Sequence, residues 1–205
     1  MQGLISAGGP VVIVLAVLSV LALTVVLVKL WQLAAWRLWR SHPAAPAVAL
    51  AARGRWQDAA QAAAAVPHPA AALAAWICRM RGQDQPVGAA ELHLAAERRA
   101  QAAIDRVRGG LRLLAFVTAT APLLGLFGTV LGMIEAFQEL EASGRQVDPG
   151  QLSGGIWQAL LTTAAGLAVA IPTSAFLALF QSVTERTARA LEDTAAALLP
   201  PEQER

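Results

Sequence analysis

The chain has 205 residues, of which 56% are hydrophobic and only 15% are charged, and its mean hydropathy is positive at +0.51. This composition excludes an ordinary soluble domain and predicts a membrane protein in contact with a lipid bilayer. The pI of about 9.5 does not predict nucleic-acid binding, because the arginines concentrate beside the apolar segments, where membrane topology explains them. No cofactor or metal site is expected, since the three histidines lack metal-ligand spacing, and the single cysteine excludes an internal disulfide.

The first apolar segment predicts a transmembrane helix within residues 1–30. The run from Leu4 to Leu30 is long enough to span a bilayer. It is unlike a cleavable signal peptide, because it has no basic n-region and is too long for an h-region. Lys29, Arg37 and Arg40 follow, interleaved with tryptophans, as is typical of the cytoplasmic interface.

Residues 31–110 are predicted to form a cytoplasmic helical region. From Lys29 to Arg112 there are 12 basic and five acidic residues, whereas the segment 138–150 and its flanks are mainly acidic. The positive-inside rule therefore places the N-terminus and the 138–150 loop in the periplasm. Prolines and glycines divide the alanine-rich cytoplasmic region. They predict short helices at roughly 45–53, 56–65 and 70–80.

The second transmembrane helix is predicted over residues 111–137. The 22 residues from Leu113 to Ile134 carry no charge, which is enough to cross a hydrocarbon core of ~30 Å. Helical patterning without a proline starts near residue 88, so one continuous helix from 88 to 137 is expected. Its first half would then project into the cytoplasm.

Small and hydroxyl-bearing residues mark this second segment. Its helix-packing candidates are Gly125, Gly128 and Gly132, which would let a neighbouring backbone approach closely. Thr118 and Thr129 are eleven residues apart, about three turns, and therefore share a face. Pro122 has no N–H to donate to the carbonyl of Thr118, so a helix kink and a free carbonyl are expected there.

The third transmembrane helix is predicted over residues 151–182, followed by a cytoplasmic C-terminal helix and tail, 183–205. From Pro149 to Thr184 there are 36 uncharged residues, which as a helix would extend ~54 Å, beyond the hydrocarbon core. A second kink is expected at Pro172. The small and polar stripe of this helix consists of Thr163, Gly166, Ala170 and Ser174.

The segments APLLGLFGTVLGMIEAF and GGIWQALLTTAAGLAVAIP together resemble the ExbB/TolQ/MotA proton-channel family, and ExbB and TolQ more than MotA. The likeness covers roughly residues 95–195. It implies that Thr129 and Thr163 stand at the family's membrane threonines. Thr118, on the face of Thr129, and Ser174, on the stripe of Thr163, are expected to line the same ion pathway. Many members carry a glutamate where this chain has Gln158, so a titrating carboxylate at that position is not expected.

The sequence therefore predicts an all-α membrane protein with three transmembrane helices, the second and third extended into the cytoplasm, and a small cytoplasmic helical region. The resemblance implies a pentamer that surrounds an ExbD/TolR-type single-span partner, in the inner membrane of a Gram-negative bacterium. That partner would supply a titratable aspartate, and a TonB-like protein would receive the energy of the proton motive force. The two central spans contain no titratable side chain, which agrees with a carrier from another chain.

Other functions stay open at this stage. A TolQ-type subunit of the Tol-Pal envelope system fits the same residues, and a non-conducting scaffold would use glycine and threonine for packing alone. An intramembrane protease at Ser153 is disfavoured, because neither span holds a histidine or lysine to activate the serine. The chain is therefore expected not to be an enzyme. Three spans rather than four argue against a MotA-type stator.

Overall fold

The computed structural model describes residues 9–40, 42–83, 88–142 and 149–200, and every regular element in these ranges is an α-helix. In chain order the helices are α1 (Gly9–Ala35), α2 (Ala45–Ala51), α3 (Trp56–Ala64), α4 (Pro69–Arg81), α5 (Ala89–Arg108), α6 (Leu111–Ala142) and α7 (Pro149–Leu198). Three stretches are long and apolar enough to cross a membrane: Pro10–Ala35, Ala89–Glu141 and Ser153–Leu198. The predicted all-α membrane fold is confirmed.

The described residues divide into two compact units. The first unit lies within Met1–Val28 and Gly110–Ala178, and the second lies within Lys29–Gly109 and Leu179–Arg205. The predicted bounds of the transmembrane helices and the assignment of sides to the membrane stay predictions. The 138–150 loop lies mostly outside the described residues, because α6 continues to Ala142 and the description resumes at Pro149.

The part of α1 in the first unit is apolar on nearly all sides, with Ser19 and Thr24 as its polar side chains. One side of it is buried, at Leu15, Ala22 and Val26. The opposite side exposes most of its aliphatic area, at Ile13, Val17, Val20, Leu23 and Leu27. A continuous aliphatic surface of this kind suits contact with lipid chains, because water would be excluded from it.

The expected continuous helix from 88 to 137 is interrupted, and that expectation is corrected. The helix α5 ends at Arg108 and α6 begins at Leu111. Gly109 has an extended ψ of 133°, and Gly110 has a φ of +81°, in the left-handed region that favours glycine. The two adjacent glycines were the signal for this break, which does not require a proline.

The core of the second unit is built mainly from alanine. Its buried cluster consists of Ala44, Ala47, Ala51, Ala59, Ala60, Ala63, Ala70, Leu73, Ala74, Ala75, Ile77, Cys78, Ala96, Leu191 and Leu198. The short predicted helices correspond to α2, α3 and α4, with bounds within a few residues of those expected. Cys78 is buried, which raises the pKa of its thiol against the opposing effect of Arg81, so it packs as a small apolar side chain.

Two tryptophans pack against this alanine core, and each ring also contacts an arginine. The guanidinium of Arg81 lies 4.3 Å from the ring centroid of Trp56, and that of Arg99 lies 4.4 Å from the ring of Trp76. Arg81 also donates to the carbonyl of Leu198 at 2.8 Å, near the C-terminus of α7. A cation at that end satisfies a carbonyl that has no partner within the helix.

Lys29 was expected to belong to the basic interface after α1, but it is buried. Its Nζ donates to the carbonyl of Val107 at 2.7 Å and to Oε1 of Gln32 at 2.9 Å. The ammonium group therefore joins the end of α1 to the end of α5. Sequence alone could not identify this contact, because the two residues are separated by 78 positions.

His68 caps the N-terminus of α4 in its neutral form. Its Nδ1 accepts from the backbone N–H of Ala70 at 3.1 Å, and its φ of −134° and ψ of 138° are typical of an N-cap. Pro69 follows at the first helical position, where no N–H is needed. Burial lowers the pKa of His68 to about 4, because the charged ring would lose its hydration.

Stability should consequently fall on acidification through His68. Between its unfolded pKa of ~6.5 and its folded pKa of about 4 only the unfolded chain binds the proton, so unfolding becomes easier as the pH falls. The full loss below pH 4 is about 3 kcal/mol. Thermal unfolding of the second unit, followed by tryptophan fluorescence in detergent between pH 7.5 and 4.5, measures this loss.

The control for this prediction is His68→Asn, which keeps a side-chain acceptor for the cap but does not titrate. The difference between the wild-type and His68→Asn curves removes the effect of other titrating groups. Parallel curves for the two proteins would contradict the assignment.

Candidate functional site in the α6–α7 contact

The candidate site lies where α6 and α7 pack through small residues. A Cβ added to Gly166 would lie 2.5 Å from the carbonyl oxygen of Ala121 and 3.1 Å from Cα of Gly125. One added to Gly132 would lie 3.1 Å from Cβ of Ala159. Because a real Cβ is essentially never found as close as 2.5 Å to another heavy atom, the backbones of α6 and α7 are in direct contact at Gly166.

Two further glycines, Gly128 on α6 and Gly155 on α7, also lie close to the opposite helix. A Cβ at Gly128 would lie 2.6 Å from Oγ1 of Thr162, and one at Gly155 would lie 2.7 Å from Cβ of Ala136. The α6 side therefore presents Ala121, Gly125, Gly128, Gly132 and Ala136, and the α7 side presents Gly155, Ala159, Thr162 and Gly166. The order is antiparallel, so the chain returns along the helix it has just left.

Two hydroxyls converge on one carbonyl at the centre of the contact. Oγ1 of Thr162 lies 3.1 Å and Oγ1 of Thr163 lies 3.2 Å from the carbonyl oxygen of Gly125. Thr162 also lies 2.7 Å from the carbonyl of Ala159, and its single proton can serve only one of the two acceptors at a time. The arrangement is a switchable polar contact inside an otherwise apolar helix pair.

Most other hydroxyls in these helices bond to their own backbone. Thr129 donates to the carbonyl of Leu126 at 2.6 Å, and Ser174 donates to that of Ile171 at 2.8 Å. Thr173 donates to the carbonyl of Val169 at 2.7 Å. A hydroxyl in such a bond still has lone pairs that can accept from water or from another chain.

The hydroxyl of Thr118 differs from these. Its Oγ1 is the one buried side-chain oxygen or nitrogen in the described part of the chain that has no hydrogen-bond partner. Pro122 lies inside the continuous helix α6 and has no N–H for the carbonyl of Thr118, so the hydroxyl and its own carbonyl both have unused hydrogen-bonding capacity. An unsatisfied buried hydroxyl costs about 1–3 kcal/mol, so it calls for a functional explanation.

The model of the MotA/TolQ/ExbB proton channel family matches residues 69–193, which is more than half of the chain. The chain belongs to this family. The match includes α6, most of α7 and the polar contact between them.

Curated relatives support the same assignment to the MotA/TolQ/ExbB family. The chain is 45% identical over 85 residues to biopolymer transport protein exbB1 of Vibrio cholerae, covering 42% of this chain and 37% of that protein. It is 46% identical over 80 residues to a putative biopolymer transport protein ExbB-like 1 of Synechocystis sp., covering 38% of this chain and 32% of that protein. It is 49% identical over 63 residues to biopolymer transport protein ExbB of Neisseria gonorrhoeae, covering 31% of this chain and 28% of that protein. The alignments thus span well under half the length of these relatives.

Two members of the stripe expected on α7, Gly166 and Ala170, are buried, and the other two, Thr163 and Ser174, are half-buried. Further buried positions on the same helix are Ala159, Thr162 and Thr173, and the place of the stripe in an ion pathway stays a prediction. Thr162 is therefore the residue that was missed. The signal was the small-residue spacing Gly155, Ala159, Thr162 and Gly166, which centres the stripe on Thr162.

Three further predicted positions have a defined place in this MotA/TolQ/ExbB family chain. Gln158 is half-buried, and its amide makes no hydrogen bond to the described residues. Pro122 and Pro172 both lie inside uninterrupted helices, so the kinks expected there stay predictions. The role of the threonines and Ser174 in an ion pathway also stays a prediction.

Proposed function

We propose that this protein is the ring-forming subunit of an inner-membrane proton channel of the ExbB type. It works with an ExbD-type single-span partner and uses the proton motive force to energise TonB-dependent transport across the outer membrane. The observation that carries the proposal is Thr118, whose buried hydroxyl has no partner in the described chain. A polar group left unsatisfied inside a span is expected at a pathway for water or protons.

The chemistry of the spans requires a second chain. Between Leu113 and Ile134, and again between Pro149 and Thr184, the sequence has no Asp, Glu, His, Lys or Arg. Threonine hydroxyls hold water but do not ionise near neutral pH, so they cannot carry a proton alone. An acidic side chain on the partner's helix would supply the carrier, and a ring of five copies would enclose that helix.

The alternative of a non-conducting scaffold is favoured by the hydroxyls that bond to their own backbone. Thr129, Thr173 and Ser174 each have such a bond, as packing threonines and serines often do. The scaffold does not explain Thr118, because packing gains nothing from an unpaired hydroxyl. A second alternative is a TolQ-type role in the cell envelope. It would differ from the ExbB-type role in which partner proteins the subunit energises.

Proton flux into liposomes tests the proposal. The chain alone should form a ring that leaks little, and coexpression with the single-span partner should raise the flux measured by an internal pH dye. Replacing the partner's membrane aspartate with asparagine should remove that rise without loss of the complex. A stable complex that conducts no more than the ring alone, under an imposed pH gradient and potential, would favour the scaffold.

Native mass spectrometry separates assembly from conduction. A ring, five copies by resemblance, is expected in gentle detergent and in nanodiscs. A strictly monomeric chain that binds no partner on coexpression would contradict the proposed energiser function. Rescue of a strain that lacks its Tol-system subunit, but not of one that lacks its TonB-system subunit, would assign the TolQ-type role instead.

A further inference from the structure

A cavity in the second unit is lined by arginine and tryptophan. It has a volume of about 580 Å³, which is the size of a small-ligand site. Its wall includes Arg99, Arg106, Trp36, Trp76 and His68. No aspartate or glutamate is among the described residues that line it, so the cavity is positively charged.

The two arginines are arranged for an anion. They are seven residues apart on α5, two turns of one helix face, and so point to the same side. Arg99 is held against the ring of Trp76 at 4.4 Å, which fixes the plane of its guanidinium. Among the described residues Arg55 and Asp58 form the one salt bridge, so neither lining arginine is neutralised by a carboxylate.

His68 adds a neutral donor to the same wall. Since its Nδ1 accepts from the backbone of Ala70, the neutral ring carries its proton on Nε2. Two guanidinium groups and an N–H around one cavity form the donor set that a phosphate group prefers, because each can bond a separate phosphate oxygen.

The position of the cavity along the chain points to a lipid as the source of that phosphate. Trp36 follows directly after α1, at the end of the first candidate span, where tryptophan favours the level of lipid headgroups. Arg106 precedes Val107, whose carbonyl binds Lys29 in the last part of α1. Trp36 and Arg106 are therefore both linked to the C-terminal end of α1, where the sequence changes from apolar to charged.

We propose that this cavity binds the phosphate headgroup of an anionic phospholipid. Its basic charge complements the headgroup, and its apolar wall at Val66, Pro67 and Leu73 suits the glycerol and the first part of an acyl chain. The lipid would stabilise the second unit at the membrane surface. This inference concerns a site separate from the helix contact described above and does not depend on proton conduction.

The test is native mass spectrometry of the full-length protein in neutral detergent, titrated with phosphatidylglycerol or with phosphatidylcholine of the same acyl chains. Phosphatidylglycerol should bind preferentially, with a bound lipid for each copy of the chain. Arg106→Gln should weaken that binding by about tenfold, the contribution of a charge-assisted hydrogen bond. Arg106 is exposed and forms no salt bridge to other described residues, so this variant should fold normally.

Arg98→Gln is the matched control, because Arg98 carries the same charge on α5, directly before Arg99, and lines a different cavity. It should leave lipid binding unchanged. Equal occupancy by the two lipids, or equal losses in both variants, would overturn the proposal. Glycerol phosphate alone, bound as tightly as the lipid, would assign the site to a soluble phosphorylated ligand and also overturn it. Arg99→Gln provides a second variant, with an expected loss similar to that of Arg106→Gln.

Discussion

Replacing Gly166 with alanine should separate α6 from α7 and lower the stability of the first unit by about 3 kcal/mol, at the upper end of overpacking costs. The new Cβ would lie 2.5 Å from the carbonyl oxygen of Ala121 and 3.3 Å from its carbonyl carbon. These are backbone atoms, so no side-chain rotation can relieve the clash. Thermal unfolding in detergent and the fraction of intact ring by native mass spectrometry measure the effect.

The control is Gly154→Ala on the same helix. A Cβ at Gly154 meets no atom within 4 Å, so the substitution should be neutral or stabilise the helix by about 0.5–1 kcal/mol. Gly128→Ala should also be destabilising, because its Cβ would lie 2.8 Å from Cβ of Thr162, which side-chain rotation does not move. If Gly154→Ala were as harmful as Gly166→Ala, close backbone packing would not be the cause.

Removing single hydroxyls should reduce proton flux much more than it reduces stability. Valine keeps the shape of threonine, so Thr163→Val loses only the bond to the carbonyl of Gly125, which Thr162 can still reach. Thr129→Val loses only a bond within its own helix. Each variant should assemble, with a stability loss of about 1 kcal/mol or less, while flux with the partner falls by about tenfold or more.

Thr118→Val gives the sharpest form of this prediction, because stability and flux should change in opposite directions. Its hydroxyl has no partner in the described chain, so its removal should leave stability unchanged or raise it by about 1 kcal/mol. Flux should fall if that hydroxyl holds water in the pathway. Thr24→Val is the control, since Thr24 bonds only to the carbonyl of Val20 on exposed α1. Full flux in the Thr118, Thr129 and Thr163 variants would rule out these hydroxyls.

The sequence predicted the elements well where the signal was local. Uncharged apolar runs marked the spans, and prolines and glycines marked α2, α3 and α4 within a few residues. The expected helix ran through Gly110 because the segment contains no proline, although a left-handed glycine ends a helix equally well. Local sequence therefore specified which segments are helical better than it specified where one helix ends.

The residues of the candidate site were harder to predict, because the neighbouring helix determines which side of each helix is buried. Thr162 and Thr163 are adjacent and about 100° apart around the helix, and although both hydroxyls reach the carbonyl of Gly125, only Thr162 is fully buried. The small residues on the partner helix settle that difference through backbone contact. The buried bond from Lys29 to Val107 is likewise a tertiary contact that no periodicity indicates.

The alanine core of the second unit has a consequence for the entropy of folding. An alanine side chain has no rotamers to lose on burial, whereas leucine or isoleucine loses ~0.5–1 kcal/mol and methionine up to ~2 kcal/mol. Ten of the buried cluster residues are alanines, so this core forms with little loss of side-chain entropy. Each alanine also gains little from burial, because it has only one methyl group to remove from water. The bundle must therefore be stabilised by many short-range contacts between helix backbones, and a single enlarged side chain would disturb several of them together.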